Sequence, residues 1–216
     1  MHLEKIKAFA QTIIGEDTTG HDWRHALRVE ANAKKISPKD LSIAEVEIIR
    51  SACWLHDTID AKIDPEKRAS LTEVENILHE SGASDYQTKE VLYIIQNLSY
   101  SKNIDKKQTL SFLGQIVQDA DRLDALGAIG TARAFYYGGS KQHLIYDDTR
   151  PRKADEITEE NYREQKSVVN HFYEKLLGLK DCMNTKMGRQ LAKHRTEFME
   201  QFLQELFDEI QTVDEH

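Results

Sequence analysis

Apolar residues recur along this chain at spacings of three and four, as they do on helices that turn one face to a core. Leu3, Ile6, Phe9, Ala10, Ile13 and Ile14 mark a first helix, which ends at Gly15. A second begins near His21 and runs to Ile36, where Ser37-Pro38 stops it, because proline disfavours helical geometry in the residue before it. Ser42 with Glu45 forms a capping box, and Ile43, Val46, Ile49, Ala52, Cys53 and His56 then follow one helical face, which places His56 on the buried side. Ser70 with Glu73 and Ser84 with Gln87 repeat that signature before two more helices. Gly82 closes the first of these, and Val91, Ile94, Ile95 and Leu98 line the second.

From Leu110 to Tyr137 the chain is rich in small and apolar residues, and Ala120, Ala125, Ala128 and Ala132 would let neighbouring helices approach closely, so a central helix or helix pair is expected here. Gly138 to Thr158, with GGSKQ and DDTRPRKADE, has the composition of a long loop and is a candidate lid. Two helices follow, one through Val169, Phe172 and Leu176, the other through Met187, Leu191, Phe198, Phe202 and Leu206. Runs of period two are scarce, and the three prolines, at 38, 65 and 151, stand between periodic segments. The expected fold is all-α, a single-domain helical bundle with a C-terminal helical extension. Within residues 1–216 the core would span about 20–130, the loop about 138–158 and the C-terminal helices about 159–213.

A net charge of −8 argues against bulk attraction to nucleic acid or to an anionic membrane, so any phosphate site must be local. Cys53 and Cys182 lie in separate helical contexts and give neither a disulfide framework nor a zinc knuckle, which fits a cytoplasmic protein. The N-terminal stretch carries acids and lysines throughout, so it reads as a docking helix rather than a signal peptide or membrane span.

Among nine histidines, the doublet His56-Asp57 stands apart because an apolar run, ACWL, delivers it into the interior. A buried carboxylate needs a counter-charge or a cation, and an imidazole beside it makes a pair of metal ligands, although a helix-end ion pair would also explain the doublet. Two further segments place ionisable groups among apolar neighbours: HDWRHALRV, where His25 shares a face with Arg28 and Val29, and QDADRLDALGA, where Asp121 shares a face with Val117 and Asp124. Three helices each sending an acid or imidazole inward suggest one shared cation.

The ordered set H…HD…D, with H-x-x-R-V in the first segment and A-D-R-L in the last, resembles the HD-domain phosphohydrolase superfamily, in particular its small stand-alone bacterial hydrolases. The resemblance extends over Gly20 to Lys62, Ile94 to Lys102, DADRLDALGAIGTARAFYYGG and HFYEKLLGLKDCMNT. It implies metal ligands at His25, His56, Asp57 and Asp121, the last because it directly precedes Arg122-Leu123; Asp124 is the alternative. Two imidazoles and two carboxylates leave about two octahedral positions open, which suits one Mn, Fe, Co, Ni or Mg ion better than a closed structural zinc site. Asp60 matches the acid of H-D-x-x-D and is assigned as general acid/base. Lys62 is the preferred phosphate contact, with Lys102 and Arg122 as further candidates, and Arg122 could equally serve an internal pair. His21 is placed to orient a ligand or touch phosphate. Asn97 and Ser99 fall where relatives often carry polar groups or an extra metal-binding histidine, and the lack of a histidine there argues for a single metal.

Other histidines, His79, His143, His171 and His194, read as helix or loop residues. Tyr136, Tyr137 and Gly138-Gly139 could shape a pocket wall. The implied function is metal-dependent hydrolysis of a small phosphorylated substrate, a nucleotide first of all; a guanosine alarmone hydrolase or a non-catalytic nucleotide-sensing module are the alternatives. A homo-oligomer is left open.

Overall fold

The structure, a computed structural model, describes residues 1–15, 22–60, 63, 65–104, 106–158, 160–161, 164 and 167–214. Among them the helices are α1 (Leu3–Ile14), α2 (Trp23–Ile36), α3 (Ile43–Leu55), α4 (Leu71–Glu80), α5 (Asp85–Asn97), α6 (Phe112–Asp124), α7 (Gly127–Ser140), α8 (Val168–His171) and α9 (Lys186–Asp214). No strand occurs among the described residues, only an isolated parallel bridge between Leu144 and Ser167. The fold is all-α. No described helix is long and apolar enough to cross a membrane. The chain forms two compact units, Met1–Asp121 and Arg122–His216, and the division falls inside α6.

In the first unit α3 packs against α1, α2 and α5. All three expected capping boxes are formed: Ser42, Ser70 and Ser84 each accept the N–H of the residue three positions on, and Glu45, Glu73 and Gln87 reach back to the cap. These bonds satisfy N–H groups that a helix leaves unpaired at its start. Asp22 caps α2 in the same way, accepting from His25 N at 2.8 Å. The expected face of α3 needs correction at its start, because Ile43 is 81% and Val46 40% exposed. Beyond that first turn, Ile48, Ile49 and every residue from Ser51 to Leu55 are buried. A helix surrounded by neighbours has no single apolar stripe, so periodicity could not fix which residues face the core. Glu30 of α2 fastens the pair, accepting from Arg50 Nε at 2.7 Å and Trp54 Nε1 at 2.8 Å.

The second unit packs α9 against α7 and against the segment after α8. That segment changes pitch, passing from α8 through one π turn (Phe172–Leu176) into a 3₁₀ stretch (Leu177–Cys182). Phe135, Phe172 and Phe202 form its aromatic core, with ring centres 5.7 to 6.3 Å apart. Of the alanines expected to permit close approach, Ala120 is fully buried, but Ala128 and Ala132 are exposed, and the close approach at the start of α7 falls to a glycine. Gly127 takes it: at φ 72° it starts α7 in a conformation L side chains rarely adopt, and a Cβ there would meet Arg195 Cγ at 3.1 Å. On α9, Met187 and Phe198 are exposed, and the buried row is Ala192, Thr196, Met199 and Leu203. The expected loop begins later than Gly138, because α7 runs on through Gly138-Gly139 to Ser140. Its next residues are tied down: Val168 and Val169 donate to the carbonyls of Leu144 and Ile145 at 2.9 and 3.0 Å. The Asn170 amide holds Asp147 and Thr149.

Candidate metal centre

The site is built where α2, the end of α3 and α6 meet inside the first unit. Capping by Asp22 starts α2 so that His25 falls in its first turn, with the ring buried. At the other partner, α3 gives way after His56 because Thr58 claims the Leu55 carbonyl twice, through Oγ1 at 2.7 Å and N at 3.1 Å. A hydroxyl competing for a ladder carbonyl ends the regular helix. His56 and Asp57 therefore stand at the first tight turn after the helix, and the Asp60 N–H closes the next one onto the Asp57 carbonyl at 3.0 Å.

Four side-chain atoms converge. His25 Nε2 lies 3.2 Å from His56 Nε2, 3.4 Å from Asp57 Oδ2 and 3.4 Å from Asp121 Oδ1. His56 Nε2 lies 3.3 Å from Asp57 Oδ2 and 3.7 Å from Asp121 Oδ1. Donor atoms held about 2.1 Å from one ion are separated by roughly 3.0 to 3.4 Å, so this spacing fits a shared divalent cation. His25, His56 and Asp121 form a group that can hold a metal ion, and the Asp57 distances place a second carboxylate oxygen beside the same two imidazoles.

The electrostatics agree with the donor chemistry. Burial alone would push the His56 pKa down, but the Asp57 carboxylate, by charge and hydrogen bond, together with Asp121 and the Cys53 carbonyl, carries it up to about 9. Burial works in the opposite sense on Asp121, and the two imidazoles outweigh it, holding that carboxyl well below its ordinary range. The surroundings favour positive charge. The Cys53 carbonyl lies 2.9 Å from His56 Nδ1 and can only accept, so Nδ1 carries a hydrogen and Nε2 is the atom turned to the cluster. Asp121, 29% exposed, is the open side of an otherwise buried group.

Other candidates fare differently. Asp60 is half-buried one turn beyond the doublet. His21 and Lys62 lie outside the described residues. Asn97 donates to the Tyr93 carbonyl of its own helix at 2.8 Å, and Lys102 to the Gln96 carbonyl at 2.7 Å. Arg122 donates to the Cys182 carbonyl. Asp124, the alternative ligand, is paired with Arg133 at 2.9 Å. Ser99 and Asn97 both offer their carbonyls to Asn103. The Cys53 carbonyl and two buried amides, Asn32 and Gln118, are partners beyond those the motifs single out. The only signal for the amides was a polar residue amid buried neighbours.

Similarity to known proteins follows the same residues. The HD domain family matches residues 22–126, which include all four converging side chains. YpgQ of Bacillus subtilis is 38% identical over 98% of this chain and 95% of its own length. Its structure in complex with ADP superposes with a TM-score of 0.78 at 36% identity, covering 99% of this chain and 97% of that one. A Lactobacillus plantarum protein of solved structure gives 0.84 at 36% identity over 97% of both chains. An HD-superfamily hydrolase from Bacillus thuringiensis gives 0.72 at 39% identity over 97% and 96%. By this likeness, running over nearly its whole length, the chain belongs to the HD-domain phosphohydrolase superfamily.

Proposed function

We propose that the protein is a metal-dependent phosphohydrolase acting on a nucleotide, with His25, His56, Asp57 and Asp121 as ligands of one divalent ion. The observation that carries this reading is a pair of imidazole nitrogens 3.2 Å apart, each with an Asp57 and an Asp121 carboxylate oxygen 3.3 to 3.7 Å away. Bound there, the ion supplies a Lewis acid that lowers the pKa of a coordinated water and offsets charge growing on phosphoryl oxygens. Two neutral and two anionic donors favour Mn, Fe, Co, Ni or Mg with positions left over, rather than a closed structural zinc. The chain's own contribution is to hold the His56 ring through the Cys53 carbonyl, to keep the buried Asp57 within reach of both imidazoles, and to leave Asp121 at the open side.

Asp60 is assigned the proton exchange, because its main chain is fixed to Asp57 one turn away and its half-buried carboxylate is not among the converging atoms. Lys62 and His21, flanking the two imidazole-bearing segments in sequence, are assigned to substrate phosphate. Asn97 and Arg122, whose side chains donate to main-chain carbonyls, are assigned as further substrate contacts. The ADP complex of YpgQ supports a nucleotide ligand.

The test is turnover of a nucleotide panel by purified protein reloaded with Mn²⁺, Co²⁺ or Mg²⁺, with products separated to distinguish phosphate from pyrophosphate release. Hydrolysis that disappears in Asp57→Ala is the expected result. Metal bound without turnover of any phosphate compound would favour a nucleotide-sensing module instead.

A further inference from the structure

The metal centre requires one particular acid of α6 to face the imidazoles, yet α6 carries Asp119, Asp121 and Asp124 within two turns. Each residue advances the helix by about 100°, so Asp124 lies only about 60° from Asp121 around the axis and a modest rotation of α6 would present it instead, whereas Asp119 lies about 160° away. Apolar packing of Leu113, Ile116, Val117 and Ala120 buries one side of the helix but is not directional. Two buried amides supply direction. Asn32, 4% exposed, donates from Nδ2 to the Ala120 carbonyl at 3.2 Å, and Gln118, 2% exposed, donates from Nε2 to the Leu98 carbonyl at the end of α5 at 3.0 Å.

Asn32 lies about two turns beyond His25 on the same face of α2. The helix that brings the first imidazole therefore also grips the peptide unit joining Ala120 to Asp121. A buried asparagine in a helix interior is a weak helix former and must be desolvated, and a leucine of similar size would pack there without either cost. Buried polar groups of this kind are best attested as devices that fix register.

We propose that Asn32 is a positioning residue that sets the rotation of α6, so that Asp121 rather than Asp124 meets His25 and His56. Gln118 holds the same helix from the α5 side. The inference rests on the reading of those residues as metal ligands.

The test compares wild type, Asn32→Leu, Asn32→Ala and His56→Ala as metal-free full-length proteins. Three quantities are read: Mn²⁺ affinity by calorimetry, the visible absorption spectrum of the Co²⁺ form, and the melting temperature without metal. Removing outer partners of metal ligands typically weakens affinity about 10- to 100-fold. Asn32→Leu is expected to show a loss of that order and a changed Co²⁺ spectrum while the metal-free melting temperature stays within a few degrees of wild type. If the leucine variant does not fold, Asn32→Ala carries the same expectation for affinity and spectrum, measured per folded molecule. Wild-type affinity and spectrum in the Asn32 variants, or a loss that only follows the folded fraction, overturns the inference. Failure of wild type to bind either ion, or undiminished binding by His56→Ala, instead overturns the metal reading and this inference with it.

Discussion

Replacing Asp57 by alanine deletes a buried carboxylate oxygen 3.3 to 3.4 Å from both imidazoles, and His56→Ala removes the nitrogen nearest to His25. Either variant is expected to lose bound divalent metal and hydrolysis together, by elemental analysis alongside the nucleotide assay. His79→Ala should change neither, because that ring sits on the surface of α4 beside Glu75. Full metal occupancy in Asp57→Ala would remove Asp57 from the coordination. Asp60→Asn separates proton transfer from metal binding: metal content and substrate affinity should persist while kcat falls about 10²- to 10⁴-fold. A kcat within a few-fold of wild type would reassign the proton. At this scale the sequence was informative wherever an ionisable group interrupts an apolar run, as at His56-Asp57. It could not choose among Asp119, Asp121 and Asp124, because the amide bonded next to Asp121 comes from a residue 88 positions away. The choice of Asp121 came from its likeness to a family motif, and the convergence of its carboxylate with both imidazoles favours that choice.

Elements were legible where their determinants are local. Each capping box links residues three apart, so Ser42, Ser70 and Ser84 announced three helix starts that the structure contains. Removing an N-cap hydroxyl typically costs about 1 kcal/mol. Ser42→Ala and Ser70→Ala should each lower stability by about that amount, and the double variant by their sum, since distant sites add; denaturant titration at constant m-value checks both. The phases of α3 and α9 were harder. Ile43 and Phe198 satisfied the period but are 81% and 43% exposed, because coverage is set by packing rather than by spacing. In α8, burial, reinforced by the charges of Lys175, His143 and Arg152, pushes His171 down to about 3. The unfolded chain takes up that proton near 6.5, so between roughly 6.5 and 3 the unfolded state binds more protons and stability is lost as pH falls. His171→Gln should flatten the pH dependence of stability in that window. An unchanged slope would assign the acid sensitivity to other groups.

For the whole molecule, the scarcity of period-two runs was enough to predict an all-α fold, and no strand occurs among the described residues, but a single cooperative domain cannot be read from periodicity. The chain divides into two compact units between Asp121 and Arg122, inside one continuous helix. The proposed metal ligands, by contrast, all lie in the first unit, with Asp121 as its last residue. That arrangement makes metal a probe of cooperativity. A ligand that binds only the folded state stabilises it by RT ln(1 + [L]/Kd), about 2.7 kcal/mol at a hundredfold excess over Kd. The last turn of α6 cannot keep its hydrogen-bond ladder once the preceding turns melt, because its N–H groups bond to carbonyls four residues earlier. Loss of the first unit should therefore carry the start of the second with it. Calorimetry is expected to show one transition that moves upward as a whole with Mn²⁺ and does not move in His56→Ala. Two transitions, of which only one responds to Mn²⁺, would establish residues 122–216 as an independently folding domain and revise the single-domain reading.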